Sequence, residues 1–178
     1  SAPGKRFSGD TKVTDMLYTC YAAAEQDEDF FDKLAKIQAR YNEIINGLGL
    51  NLSLDTQFEE IASKFAAKAG KEYAASRGEY LNGIIMANYL GYEFVDAAEV
   101  IRFNHGSFNA AVTNKIMSKR LEKVERAVIP GFFGAEEDGT IRTFSRGGSD
   151  ITGSIVARAV NANLYENWTD VSGCMVAD

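Results

Sequence analysis

The hydrophobic period of the chain changes at Tyr92, and that change limits the folds open to it. Before it, apolar residues recur at steps of three and four, the spacing of one buried helix face. Val13, Met16, Leu17, Cys20, Tyr21 and Ala24 form the first stripe, with Asp10 or Thr11 positioned to cap it. Phe30, Phe31, Leu34, Ile37, Tyr41, Ile44 and Ile45 form the second, after the acidic run of residues 25–29 that favours a helix start and before Gly47 and Gly49, which end it. A third begins near Ser53 and runs through Leu54, Phe58, Ile61, Ala62, Phe65 and Ala69 to Gly70. The fourth follows Ser76-Arg77-Gly78-Glu79 through Leu81, Ile84, Ile85, Tyr89 and Leu90 to Gly91. Four helices are expected before any strand.

Beyond Tyr92 the pieces are short. Residues 93–96 and Glu99-Val100-Ile101 are β-prone, Val112, Ile116, Met117, Leu121 and Val124 return to helical spacing, and residues 127–134 form an apolar run suited to a strand buried on both faces. This alternation predicts an α/β layer in which helices cover a largely parallel sheet, with α+β as the other arrangement open to the pattern. A chain of 178 residues without repeats or a low-complexity linker reads as one domain, residues 1–178.

Nineteen Lys and Arg against twenty-five Asp and Glu leave a net charge of −6 without any long basic run, so nucleic acid is not an expected partner. A small anionic ligand stays open, because one arginine or one helix N-terminus suffices to hold it. Cys20 and Cys174 stand far apart and outside any metal-ligand spacing, which fits a reducing compartment. No apolar run approaches a membrane span and no signal-peptide core follows Ser1, so a cytosolic protein without membrane association is expected.

The chemistry concentrates in Ser145-Arg146-Gly147-Gly148-Ser149-Asp150, between β-prone residues 140–144 and the apolar positions Ile155, Val156, Ala159 and Val160. Paired glycines let backbone amides approach an anion, the following helix adds partial positive charge, and Arg146 can fork onto a carboxylate or phosphate. The same string also serves as a tight turn with a helix cap. Glu79, taken as lying in the first turn of its helix, can receive an ammonium group or simply favour the macrodipole. Residues 1–6 can cradle an anion or fray, and residues 168–173 can flank a nucleoside or form a plain turn. His105 has no partner at an informative spacing, and residues 136–139 read as a solvated loop.

Taken in order, Ser1-Ala2-Pro3-Gly4-Lys5, Ser76-Arg77-Gly78-Glu79, Gly131-Phe132-Phe133-Gly134, Ser145-Arg146-Gly147-Gly148-Ser149-Asp150 and Thr169-Asp170-Val171-Ser172-Gly173 resemble aspartokinases of the amino acid kinase superfamily over nearly the whole chain. The resemblance implies a three-layer α/β/α sandwich with a mainly parallel sheet, here incomplete. It implies transfer of the γ-phosphoryl of ATP, with Mg²⁺, to the side-chain carboxylate of L-aspartate, the first step toward lysine, threonine and methionine. By the same resemblance, Arg146 grips the α-carboxylate of aspartate and Glu79 meets its amino group. Gly147, Gly148 and Ser149 line the reacting carboxylate and phosphate, Asp150 organises the catalytic lysine, and Thr169 and Asp170 contact the nucleoside. A homo-oligomeric full-length protein is also implied. Relatives acting on a glutamate derivative, carbamate or a nucleotide, and a non-catalytic nucleotide-binding module, are the alternatives.

Family members open with a strand and a Lys-x-Gly-Gly-Ser loop, whereas this sequence begins at Ser1, after the position of the second strand, and its Lys5 belongs to a later loop. They also continue into an Asp-Pro-Arg segment and ACT domains. The 178-residue chain is therefore expected to be part of a larger enzyme, with an exposed sheet edge when alone. Alone, this polypeptide should release almost no ADP in an aspartate-dependent coupled assay; substantial turnover would contradict that expectation.

Overall fold

The computed structural model describes residues 1–145 and 147–168. Four helices come first: α1 (Val13–Glu25), α2 (Phe31–Gly47), α3 (Asp55–Ala66) and α4 (Lys71–Leu90). Their stripes meet in one apolar cluster that includes Leu17, Tyr21, Ile37, Tyr41, Phe58, Phe65 and Ile85. Cys20 lies within it, its thiol donating to the Phe30 carbonyl at 3.6 Å and pushed up to about 11 by burial. Neither expected cap of α1 forms: Lys12 is its N-cap, and Asp10 instead pairs with Arg6 at 2.9 Å and with buried Arg40 at 3.1 Å. The two guanidinium groups offer that carboxylate charge-assisted bonds stronger than a cap, and they hold it far below the usual carboxylate range.

Helix α4 begins five residues before the expected Ser76. Every residue from Tyr73 to Gly78 is buried, so this stretch shows no one-sided stripe. Gly70, expected to stop α3, is instead the N-cap of α4; α3 has already ended at Ala66, with Lys68 in the left-handed region at φ 56°. The Tyr41 hydroxyl donates to the Gly78 carbonyl at 2.8 Å and ties α2 to the middle of α4.

The second half supplies the strands. β1 (Glu93–Phe94) pairs in parallel with β4 (Ala127–Val128), and Arg102 makes a parallel bridge to Ala135. β2 (Phe103–Asn104) and β3 (Ser107–Phe108) form an antiparallel hairpin through His105 and Gly106, both at positive φ. β5 (Phe133–Ala135) pairs antiparallel with β6 (Ile141–Thr143). Helices α5 (Ala97–Val100), α6 (Ala110–Leu121) and α7 (Gly148–Ala159) complete a mixed α/β fold with a small parallel sheet. A second apolar cluster gathers Val95, Val100, Ile101, Met117, Phe133 and Ala159, while Tyr80 and Ile141 touch both clusters.

Three local expectations change. The β-prone residues 99–101 begin in α5, because the Asp96 carboxylate accepts from the Ala98 amide at 3.0 Å and nucleates a turn. The apolar run 127–134 does not form one strand buried on both faces: Pro130 donates no hydrogen bond, Phe132 sits at φ 67°, and half-buried β4 is separated from β5. The acidic turn 136–139 is tied down, since Glu136 accepts from the Gly106 amide at 2.7 Å and from Arg142 at 3.1 Å. Arg142 also donates to Glu72 of α4 at 3.0 Å, and Glu72 accepts from the Thr143 amide at 2.8 Å, so β6 is fastened to the start of that helix.

Gly134 sits hard against α5 and the residue that follows it. A Cβ there would lie 2.6 Å from both the carbonyl oxygen and Cγ2 of Ile101. Gly134→Ala should cost about 1–3 kcal/mol through forced backbone displacement, measured as a lower thermal transition of the gene product that contains this chain; an unchanged transition would contradict the packing described.

Candidate functional site

The break between β4 and β5 brings backbone against the start of α7. A Cβ on Gly131 would lie 3.0 Å from Cα of Ser149, and one on Gly148 would lie 2.6 Å from Cβ of Phe132. Buried Thr152 fixes the same junction, accepting from the Phe132 amide at 3.0 Å and donating to the Gly148 carbonyl at 2.8 Å. Gly147, the N-cap, takes the left-handed conformation at φ 58°, and no side chain caps the helix. The first amides of an α-helix have no partner within it and carry its partial positive charge, so they face outward as donors.

The residues that open α7 line a cavity of about 390 Å³: Gly147, Gly148, Ser149 and Asp150 stand around it with Thr14, Glu79, Phe132, Phe144 and Ser145. Five of the expected site residues thus surround one space. Glu79 lies in the middle of α4 and not in a first turn, so its carboxylate serves no macrodipole. Its Oε2 is buried without a hydrogen-bond partner among the described residues. Burial raises its pKa, while the Ala2 amide pulls the other way. Such an oxygen is costly to leave unmade and is satisfied by a donor arriving from outside. Asp150 stands exposed at the rim, where its Oδ1 accepts from Asn167 at 3.1 Å.

Residues 1–4 are pinned beside Glu79: the Ser1 carbonyl accepts from Asn82 at 2.7 Å, Ala2 lies against Gly78, and Arg40 donates to the Gly4 carbonyl. Arg146, Thr169 and Asp170 lie outside the described residues. His105 is an exposed turn residue. The sequence assigns no site role to Thr14, Phe132, Phe144 or Thr152, although Phe132 stands in the Gly131–Gly134 string and Thr152, four residues after Gly148, is able to bond back to its carbonyl. Among the described residues no group of three His, Cys, Asp or Glu gathers that could hold a metal ion. No helix of the described residues is long and apolar enough to cross a membrane.

Residues 8–178 match the Amino acid kinase family. The chain is 36% identical to aspartokinase 3 of Bacillus subtilis over 96% of its own length and 41% of that protein. It is 26% identical to the lysine-sensitive aspartokinase 3 of Escherichia coli, over 96% of its length and 43% of that protein. Among solved structures, the aspartate kinase of Clostridium acetobutylicum superposes with a TM-score of 0.91 at 47% identity, covering all of this chain and 41% of that one. Escherichia coli aspartokinase III, solved in complex with aspartate and ADP, shares the fold at a TM-score of 0.74 and 24% identity, over 93% of this chain and 42% of that one. The chain spans about two fifths of the length of these relatives.

Glu79 also makes a measurable pH signature. With its pKa raised in the fold, the folded state holds the Glu79 proton more tightly than the unfolded chain does. Its contribution is therefore most favourable below the ordinary carboxylate pKa and is lost as pH rises from that value through the raised one. Glu79→Gln should melt higher than the parent at pH 7, and the gain should shrink toward about pH 4. An equal increment at both pH values, by thermal scans, would show that burial does not disfavour this charge.

Proposed function

Because the chain belongs to the amino acid kinase family, we propose that it forms the aspartate-binding part of an ATP-dependent aspartate kinase, which makes 4-phospho-L-aspartate on the route to lysine, threonine and methionine. The observation that carries this reading is the pairing of an orphaned, buried Glu79 oxygen with the uncapped start of α7 across one cavity. An amino acid bearing an ammonium group and two carboxylates is complementary to that pairing, whereas carbamate has no ammonium for Glu79 to meet. The names of the relatives at 36% and 47% identity support the same acceptor.

In this reading Glu79 receives the α-ammonium group of aspartate and so gains the partner that its burial demands. Arg146 forks onto the α-carboxylate through two parallel hydrogen bonds. The side-chain carboxylate then lies toward the amides of Gly147, Gly148 and Ser149, which also meet oxygens of the transferring phosphoryl group. One carboxylate oxygen forms a bond to the γ-phosphorus of ATP, the bond from that phosphorus to the bridging oxygen breaks, and ADP leaves with the electron pair. A carboxylate is already ionised, so no general base is needed; positioning and donors aimed at the phosphoryl oxygens do the work.

Thr169 and Asp170 are assigned to the nucleoside, and Asp150 to organising the cationic group that faces the phosphates. Mg²⁺ would accompany ATP, held by oxygens of its phosphates, and would neutralise charge there. Assembly as a homo-oligomer belongs to the same proposal.

The test assays the gene product that contains this chain with aspartate, glutamate and N-acetylglutamate as rival acceptors; preference for either rival would overturn the reading. Arg146→Lys keeps the charge and loses the fork, so the KM for aspartate should rise by about tenfold or more while that for ATP stays within about twofold. Equal losses for both substrates would remove Arg146 from the amino-acid half of the site.

A further inference from the structure

Two residues before Glu79, on the opposite side of α4, Arg77 is 4% exposed. Its guanidinium carbon lies 4.6 Å from the ring centre of Tyr73, 4.3 Å from that of Tyr80 and 5.5 Å from that of Phe133. Its Nε and Nη2 donate to the Ser76 hydroxyl at 3.1 and 3.0 Å. No carboxylate lies within ion-pair distance of it among the described residues, although Asp96, half-buried at the start of α5, feels its charge. A desolvated cation held by ring faces is retained only where the geometry is closely specified.

What Arg77 grips leads to the cavity. Tyr73 and Tyr80 belong to its own helix, but Phe133 belongs to β5, and the neighbouring residue Phe132 forms the cavity wall against Gly148. Phe132 is the covalent neighbour of Phe133, turned out of the strand at φ 67°, so a shift of Phe133 toward or away from α4 carries Phe132 with it. Phe132 in turn donates its amide to Thr152 and accepts from the Phe144 amide at 2.8 Å. One contact thus couples the helix that bears Glu79 to the start of α7 at Gly148.

We propose that Arg77 is a positioning residue for the amino-acid half of the site, setting the separation between Glu79 and the Phe132–Gly148 wall by clamping α4 onto β5. This rests on the function proposed above. The expected kinetic signature is a split: the acceptor site between Glu79 and Gly148 loosens, while binding of the nucleoside, assigned above to Thr169 and Asp170, is spared.

The experiment compares Arg77→Met and Arg77→Lys with the parent in the gene product that contains this chain. In Arg77→Met the KM for aspartate should rise by about tenfold or more, with the KM for ATP within about twofold, because small displacements of positioning groups are costly. Arg77→Lys, which keeps the charge on a thinner side chain, should recover part of that loss; it also serves as the test should Arg77→Met fail to fold. Equal changes for both substrates, or none, would overturn the proposal. Amide exchange supplies a readout that needs no turnover: the Phe132 and Phe144 amides should exchange about tenfold faster in the variants, with those of α2 unchanged. A parent inactive toward every acceptor would sink the kinase reading alone, and exchange would then decide the role of Arg77. Unaltered exchange at Phe132 and Phe144 would overturn that role.

Discussion

Two absent side chains hold the site together. Gly131 lets the broken strand lie on Ser149, and Gly148 lets the start of α7 lie on Phe132; with a Cβ at either place backbone atoms would have to separate. The pair acts reciprocally, each glycine accepting the bulk of the other segment. Thr152 then locks what the glycines permit, using one hydroxyl to satisfy the Phe132 amide and a carbonyl in the first turn of α7. This contact sets the start of α7 beside the cavity, and no side chain caps it there.

Helix α4 carries the opposite demand. Its interior positions include Arg77 and Glu79, ionisable groups two residues apart and on different faces, each short of a partner of opposite sign among the described residues. Buried charge is costly without compensation. For Arg77 the compensation is internal, three aromatic faces and a serine hydroxyl, and the result is a rigid joint. Glu79 accepts from the Ala2 amide, yet its Oε2 stays without a partner among the described residues, beside the cavity. One helix therefore contains both a completed polar contact and an uncompleted one, the first supporting structure and the second inviting a ligand.

Much of the helical half was legible because α1, α2 and α3 each bury a single stripe, which periodicity detects. The start of α4 was not, because residues 73–78 are buried all round and leave no period to find. The division of residues 127–134 could have been read from Pro130, yet the continuous apolar character outweighed it. In the site, the Gly147-Gly148-Ser149-Asp150 string stood out through its backbone chemistry, and Glu79 through its neighbour Gly78. Phe132 stood in a recognised string but without a role, and Phe144 and Thr14 had none either, since their place depends on contacts between segments distant in sequence and on no local pattern. The caps of α1 failed because Asp10, a good cap in isolation, is engaged by two guanidinium groups, Arg6 four residues before it and Arg40 thirty residues after.

The deeply enclosed sulfur of Cys20 gives the helical half a built-in reporter. With its thiol pushed up to about 11, the reactive thiolate is scarce near neutrality, and surrounding side chains shut out reagents. Alkylation at this atom accordingly has to wait for α1 to part from its neighbours. The rate at which Cys20 is capped is thus a clock for breathing of the four-helix cluster.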